Sequence, residues 1–456
     1  MLQTFRIFDR SYEFDDNCTP LDTNKNSDSN HVCNDDIVSF SPQYVRTVTM
    51  CLHISENCNL NCKYCFKKIG GELSLEDIKR FIDCVLQIYP TADRYIVDMS
   101  GAGEPLLHKE LVIKIARYCN SLSDRYLREF LPTFVTNGVL LTPETVKELQ
   151  SAGILFGISL DGTKENHDRN RVFHNGEGSY DTVAANIKAI EHNDYVGLAM
   201  TYTDGNLLES FLSMSKLLPT ISMKPVRYTN EDIDTESICR GYDELVKFLL
   251  DETLLEDKKH IYAIINGDDY FGKFLKRVLL NRAVYGRCDA GIGRFSLAGD
   301  KNIYFCPAAV GIEGGMIGSL EYGIRLRKIQ EMWNRQRNSK CNGCFARNVC
   351  GGECKIVSYN KYGDFDGVDP AMCKIKRHLF LLAKYFADTV KETDSQIYQW
   401  LLDASDQIEG YYCRDEKLIA AAEFYKDKYT YTELKRIKDN DPETFEKIYN
   451  FFQKPQ

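Results

Sequence analysis

Residues 58–66 read Cys58-Asn59-Leu60-Asn61-Cys62-Lys63-Tyr64-Cys65-Phe66, directly after an apolar run that ends near Ile54. Three cysteines with gaps of three and two residues, on a loop that follows a strand, can fold around one metal centre. They supply three thiolates, not four. A structural zinc site is usually closed by four ligands, whereas a cubane iron-sulfur cluster held by three cysteines keeps one iron free for a ligand that does chemistry. Buried packing cysteines, or a zinc ribbon completed elsewhere in the chain, are the competing readings of the same spacing.

From Arg46, just before this loop, the chain alternates between two patterns. Apolar strand candidates fall at 46–54, 94–99, 131–135, 155–160, 196–203 and 222–228, with helical segments between them. Ser74 and Asp77 have capping-box spacing, and Ile78, Phe81, Ile82, Val85 and Leu86 form the buried stripe of the helix they open. Thr142-Pro143-Glu144 opens another, with proline in the first turn. Six such repeats imply an α/β fold with a parallel sheet, either open and doubly wound or an incomplete barrel.

The remaining motifs end these strands, where a barrel places its site. They are Ser100-Gly101-Ala102-Gly103-Glu104-Pro105, Thr136-Asn137-Gly138 and Ser159-Leu160-Asp161-Gly162. The last is followed by His167-Asp168-Arg169-Asn170-Arg171 and Gly178-Ser179-Tyr180-Asp181. Glycines let backbone approach a ligand, Glu104 can accept from an ammonium group, and Arg171 offers a fork of donors to a carboxylate. Taken singly, a Gly-Glu-Pro triplet is more often a turn and a lone arginine a solvated one.

A chain of 456 residues is long enough for two or three domains, and 43% hydrophobic with 27% charged residues is ordinary for a globular protein. The net charge of −9 argues against a broad nucleic-acid surface. The apolar stretch around His378 to Ala387 is short and carries Lys384, so no membrane span is expected. The start, Met1-Leu2-Gln3-Thr4-Phe5-Arg6, lacks the basic region and apolar stretch of a signal peptide, and a cytoplasmic location is expected. Without an export signal, seventeen cysteines point to metal ligation rather than disulfides. Seven of them, Cys288, Cys306, Cys341, Cys344, Cys350, Cys354 and Cys373, lie within 86 residues. Paired cysteines at such spacing also build zinc knuckles.

The Cys58–Phe66 loop, with aromatic Tyr64 and Phe66 flanking its last cysteine, resembles the cluster loop of the radical S-adenosylmethionine (radical SAM) enzymes, and the three strand-end motifs resemble that family too. The resemblance implies a partial (β/α)6 TIM barrel. It implies a 4Fe-4S cluster on Cys58, Cys62 and Cys65 whose open iron chelates SAM, and splitting of SAM into methionine and a 5'-deoxyadenosyl radical. Tyr64 would belong to the cofactor site, Gly103 and Glu104 would hold the SAM amino group, Ser159 and Arg171 its carboxylate, and Asp161 would lie near the ribose. Ala102 stands where the family usually has a glycine.

The second cysteine set resembles the SPASM domain of radical SAM enzymes that modify peptides and proteins, which implies two auxiliary 4Fe-4S clusters and three in all. Cys341, Cys344, Cys350 and Cys373 would bind the distal one, and Cys288, Cys306 and Cys354 the proximal one. Many members supply a fourth proximal cysteine where this chain has Arg282. The hairpin glycine before Cys306 is also displaced, and in Gly299-Asp300-Lys301-Asn302 an asparagine is expected to take the left-handed turn. Segments 288–293, 310–313 and 344–352 look most like the subgroup that installs thioethers in ribosomally made peptides, in which a substrate cysteine binds an open auxiliary iron. The implied partners are a Cys-containing precursor peptide and an electron donor such as flavodoxin or ferredoxin. Other outcomes are sulfatase maturation, a carbon-carbon cross-link, or a non-catalytic zinc-binding scaffold. The expected division is a hairpin and linker at 1–45, the barrel at 46–230, a helical bridge at 231–285, a small α+β auxiliary-cluster domain at 286–375, and a helical tail at 376–456 packed against that domain.

Overall fold

The computed structural model describes residues 3–14, 41–65, 71–190, 196–226, 234–267, 269–284, 286–336, 338–410 and 415–452. The linker expected at 15–36, Phe66, and Cys18, Cys33 and Cys413 lie outside them. The expected N-terminal hairpin is formed by β1 (Gln3–Ile7) and β2 (Arg10–Phe14), antiparallel.

Next come β3 (Thr47–Leu52), α1 (Leu75–Ile88), β4 (Arg94–Asp98), α2 (Lys109–Tyr126), β5 (Glu129–Thr136), α3 (Pro143–Ser151) and β6 (Leu155–Ser159). The series continues with α4 (Lys164–Asn170), α5 (Tyr180–Ala189), β7 (Val196–Tyr202), α6 (Leu207–Ser215) and β8 (Ile221–Pro225). These six strands pair parallel in chain order. In β3, Val48, Met50, Cys51 and Leu52 are all fully buried, as expected of a strand covered on both faces. β7 instead buries alternate residues, Val196, Leu198, Met200 and Tyr202, the period of a half-covered strand. The capping box of Ser74 and Asp77 is present, and Thr142 caps α3.

Three helices, α7 (Thr235–Leu254), α8 (Lys259–Asn266) and α9 (Tyr270–Leu279), bridge to β9 (Arg294–Leu297), β10 (Asn302–Tyr304), β11 (Met316–Ser319) and β12 (Gly323–Ile324). These later strands extend the barrel sheet. β9 pairs parallel with β3, and β10, β11 and β12 add antiparallel beyond it, giving ten strands in one sheet. The left-handed residue of the β9–β10 turn is Lys301 (φ 66), not Asn302, which already belongs to β10. Asp300 explains the difference. Its carboxylate accepts from the Asn302 N–H at 3.0 Å, an Asx turn that fixes the residue between them, and Lys301 then donates to Asp77 at 2.8 Å.

The cysteine-rich region continues through α10 (Leu326–Asn334), α11 (Arg347–Cys350) and α12 (Lys355–Tyr362). The tail is α13 (Pro370–Thr393), α14 (Ser395–Gly410), α15 (Glu416–Phe424), α16 (Tyr431–Asn440) and α17 (Pro442–Phe452). Its first half packs on the bridge: α13 lies against α7 and α9, and α14 against α8 and α9. The N-terminal hairpin docks there too, with Phe14 fully buried between Phe345 and Phe380 and Arg10 paired with Glu392 at 2.7 Å.

The second half departs from expectation. Leu418, Ile419, Leu434 and Phe445 form a separate small core, and α16 docks on the barrel, not on the auxiliary region. The Thr432 N–H donates to Asp124 at 2.9 Å, Arg436 to the Ser151 carbonyl at 3.0 Å, and Lys435 lies 3.3 Å from Glu129. Glu129 also pairs with buried Arg94, and these two open β5 and β4. The tail therefore covers the end of the sheet opposite the motif loops. Among the described residues no helix is long and apolar enough to cross a membrane.

Candidate active site and auxiliary cysteine sites

The loop after β3 is held backbone to backbone. On one side the Gly101 N–H donates to Leu52 O at 3.0 Å and the Glu104 N–H to Asn57 O at 2.8 Å. A Cβ at Gly101 would lie 2.4 Å from Leu52 O, and one at Gly103 (φ +67) 2.3 Å from Ser55 O, so both positions need glycine. Ala102, buried and between them, is accommodated. On the other side Asn61 donates to Val172 O at 2.7 Å and Lys63 to Asn170 O at 2.9 Å, around a bridge between Leu60 and Phe173. His174 meets the Cys58 carbonyl at 3.0 Å.

This pinning gathers Cys58, Cys62 and Cys65, whose thiols feel one another's charge. Burial pushes the Cys62 thiol up to about 11, a cost that metal binding to the thiolate would repay. The Leu60 N–H at 3.4 Å and Asn137 Nδ2 at 3.7 Å both donate to Cys58 Sγ, the pattern a thiolate ligand takes. A donor set of three such sulfurs fits a cluster with one iron left open.

Glu104 is buried, and its carboxylate accepts from Leu106 N (3.1 Å), Thr136 Oγ1 (2.6 Å) and Asn137 N (2.8 Å). Burial raises its pKa, opposed by these three donors. A carboxylate has about four acceptor positions, so about one is left for a ligand. Asn137 passes the order on, donating to Asn59 Oδ1 at 2.6 Å as well as to Cys58.

Asp161, 1% exposed, is the hub of the opposite wall. Its Oδ2 accepts from Tyr64 OH and from Arg171 Nε at 2.9 Å, and its Oδ1 from Thr201 N at 2.9 Å. The Arg171 guanidinium also lies over the Tyr64 ring, 5.4 Å from its centre. Burial disfavours the arginine charge, but Asp161 and Tyr64 more than offset it and its pKa ends raised. The terminal nitrogens of Arg171 make no hydrogen bond to a described residue. Ser159 is buried at the end of β6, one residue beyond the Thr136–Ile158 register pair.

His167, on α4, sets this wall although its residue type alone does not mark it for a role. The Asp161 N–H donates to its Nδ1 at 3.2 Å, which puts the ring proton on Nε2, 2.9 Å from Ser179 Oγ. Ser179 in turn donates to Arg171 O at 2.9 Å. Burial holds His167 down to about 4, so it is neutral.

In the C-terminal region Cys288, Cys306 and Cys354, with Cys350, line a cavity of about 290 Å³ that also carries Arg287, Arg294 and Lys376. Charge neighbourhoods separate the seven cysteines. Cys288, Cys306 and Cys354 feel one another. Cys341, Cys344 and Cys373 each feel Cys350. Backbone N–H groups point at sulfur again, from Ala290 to Cys288, from Ala308 and Ala309 to Cys306, and from Ala346 to Cys344. Gly351 (φ +72) brings the turn after α11 against Gly286, where a Cβ would lie 2.5 Å from Gly286 C. Among the described residues no three His, Cys, Asp or Glu side chains close around a single ion. Arg282 turns to Asp406 on α14, at 3.2 Å. Cys239, buried on α7, sits near Asp243, Lys374 and Glu236.

A parallel sheet whose strand ends carry a clamped three-cysteine loop defines a class, and residues 52–218 match the radical SAM superfamily. Those residues form a radical SAM domain, and such a domain implies a 4Fe-4S cluster and SAM. Relatives extend further along the chain. The AdoMet-dependent heme synthase of Methanosarcina barkeri is 26% identical over 70% of this chain and 93% of its own length. The radical SAM cyclopropyl synthase TigE of Paramaledivibacter caminithermalis is 21% identical over 78% and 76%. The structure of native anSMEcpe with bound AdoMet and Cp18Cys peptide superposes with a TM-score of 0.60 at 17% identity, over 76% of this chain and 99% of that one, which shows the shared fold.

Proposed function

We propose that the protein is a radical SAM peptide maturase that joins a cysteine sulfur to a carbon of a ribosomally made precursor peptide. When bound, the cluster and SAM would supply a 5'-deoxyadenosyl radical to take a hydrogen from the peptide; the sulfur would then bond to that carbon as its thiol proton is lost and the surplus electron passes to an auxiliary cluster. Cys58, Cys62 and Cys65 hold the cluster. Gly103 and the remaining acceptor position of Glu104 meet the SAM ammonium, and Ser159 with the terminal nitrogens of Arg171 meets its carboxylate. Asp161, with most of its acceptor positions in use, sets Arg171 and Tyr64 beside the cofactor. Cys341, Cys344, Cys350 and Cys373 close a distal auxiliary cluster, and flavodoxin or ferredoxin serves as electron donor.

The observation that carries the reading is the division of the auxiliary cysteines into four and three. The three, Cys288, Cys306 and Cys354, open on the cavity, while Arg282 is turned away to Asp406. A proximal cluster with an open iron would take the peptide thiolate, which suits a soft sulfur donor and fixes it near the carbon radical. Spectra of the reconstituted protein with a Cys-containing peptide and with its Ser counterpart test this: only the former should alter the proximal cluster. The similarity to a cyclopropyl synthase supports a second reading, carbon-carbon bond formation, for which neither peptide should alter it.

A further inference from the structure

Glu353 lies between Cys350 and Cys354 in sequence, and its side chain is 3% exposed. Its Oε1 accepts from Lys376 Nζ at 2.8 Å, from Arg287 Nη1 at 3.3 Å and from the Cys354 N–H at 2.7 Å. Oε2 is buried and has no hydrogen-bond partner among the described residues. Lys376 is as buried as Glu353 and also donates to Gly352 O at 3.2 Å. Arg287, 12% exposed at its side chain, also donates to Tyr270 OH and lies over that ring.

Such a triad is a poor way to gain stability. Removing three charges from water costs several kcal/mol per ion, and an apolar replacement of similar volume is often as stable or more so. The orphaned Oε2 adds an unsatisfied acceptor to that cost. Its position suggests another use. Arg287 immediately precedes Cys288 and lies in the field of Cys288 and Cys354. Lys376 follows Cys373 by one helical turn on α13, and its charge is felt at Cys341 and Cys373. Both line the cavity. Glu353 therefore joins a cation beside the three-cysteine set to a cation beside the four-cysteine set.

We propose that Arg287–Glu353–Lys376 is a charge bridge that sets the reduction potentials of the two auxiliary clusters relative to each other. Arg287 favours an electron on the proximal cluster, Lys376 favours one on the distal cluster, and Glu353 lowers both. The fixed charges act through the field they place on the sulfurs, so these are positioning residues and not ligands. This inference rests on the two-auxiliary-cluster reading above.

The test is a potentiometric EPR titration of the reconstituted full-length protein, with the SAM-cluster signal identified by its change on adding SAM. Glu353→Gln should raise the reduced-to-oxidised ratio of both auxiliary clusters at fixed potential by about tenfold, equivalent to about 59 mV for a one-electron couple. Glu353→Asp should stay near wild type, because it keeps the charge. Lys376→Met should make the distal cluster harder to reduce and the proximal one less so, and Arg287→Met should do the reverse. If Glu353→Gln loses iron, the lysine and arginine variants carry the test. Unchanged potentials with iron retained would overturn the bridge, as would Glu353→Asp and Glu353→Gln behaving alike. Iron for a single cluster in the wild type would instead defeat the underlying two-cluster reading.

Discussion

The two three-cysteine sets of this chain are built by opposite means. Cys58, Cys62 and Cys65 sit on a loop fixed by backbone hydrogen bonds to two neighbouring loops, with the nearby charges Glu104 and Asp161 largely spent on protein donors. Cys288, Cys306 and Cys354 border a cavity whose lining includes several cations. The first arrangement gives a rigid cradle with about one free acceptor and one free guanidinium fork, suited to a zwitterion of fixed shape. The second gives room and positive charge, suited to an anionic ligand from outside. Three thiolates alone do not distinguish these roles; their surroundings do.

The largest effect should come from removing the first set. Replacing Cys58, Cys62 and Cys65 together with Ala should abolish 5'-deoxyadenosine formation under strong reductant, while iron analysis still finds the auxiliary clusters. Deoxyadenosine from the triple variant would mean that the radical chemistry lies elsewhere. Next in size is Arg171→Ala, which strands Asp161 in the wall. Breaking a buried pair costs about 3–5 kcal/mol of stability. SAM affinity should also fall by about ten- to a hundredfold with iron retained. Calorimetric SAM binding decides it, and unchanged affinity would remove Arg171 from the site.

His167 gives a pH signature confined to that same wall. Its folded pKa of about 4 lies below the unfolded value of about 6.5, so the unfolded chain binds the extra proton first as pH falls. Its contribution is complete above pH 6.5 and is lost toward pH 4, by about 3 kcal/mol. Urea unfolding across that range should show a steeper loss of stability in wild type than in His167→Gln. Smallest is Thr430→Ala, which removes the capping box of α16 and should cost about 1 kcal/mol. Because α16 docks at the far end of the sheet, SAM cleavage should not change; a change would tie the tail to the site.

The sequence made some of this legible and hid the rest for physical reasons. The six parallel strands are continuous or alternating apolar runs between capped helices, and all six stand within a few residues of where the pattern puts them. The pairing of β9 with β3 was not legible, since a four-residue strand joins a partner more than 240 residues away and local periodicity carries no trace of that. The docking of α16 on α2 rests on single polar contacts such as Thr432 with Asp124. At the site, residue types were readable but not what they spend their bonds on. Glu104 and Arg171 stood out as an acceptor and a fork, while Asn137 as a donor to Cys58 and His167 as the brace behind Asp161 emerge only when four strand ends are brought together.

The contrast between the two sets is tested most directly in the Cys58→Ala, Cys62→Ala, Cys65→Ala variant, where only clusters on the second cysteine set would contribute to the spectrum. Mössbauer and EPR spectra should be recorded with a Cys-containing peptide and with the same peptide carrying Ser. The Cys peptide alone should perturb one cluster, and Cys288→Ala should abolish the perturbation. Identical spectra with both peptides, together with loss of the proximal cluster on replacing Cys18, Cys33, Cys239 or Cys413 by Ala, would contradict this, because the chain would then close that cluster itself.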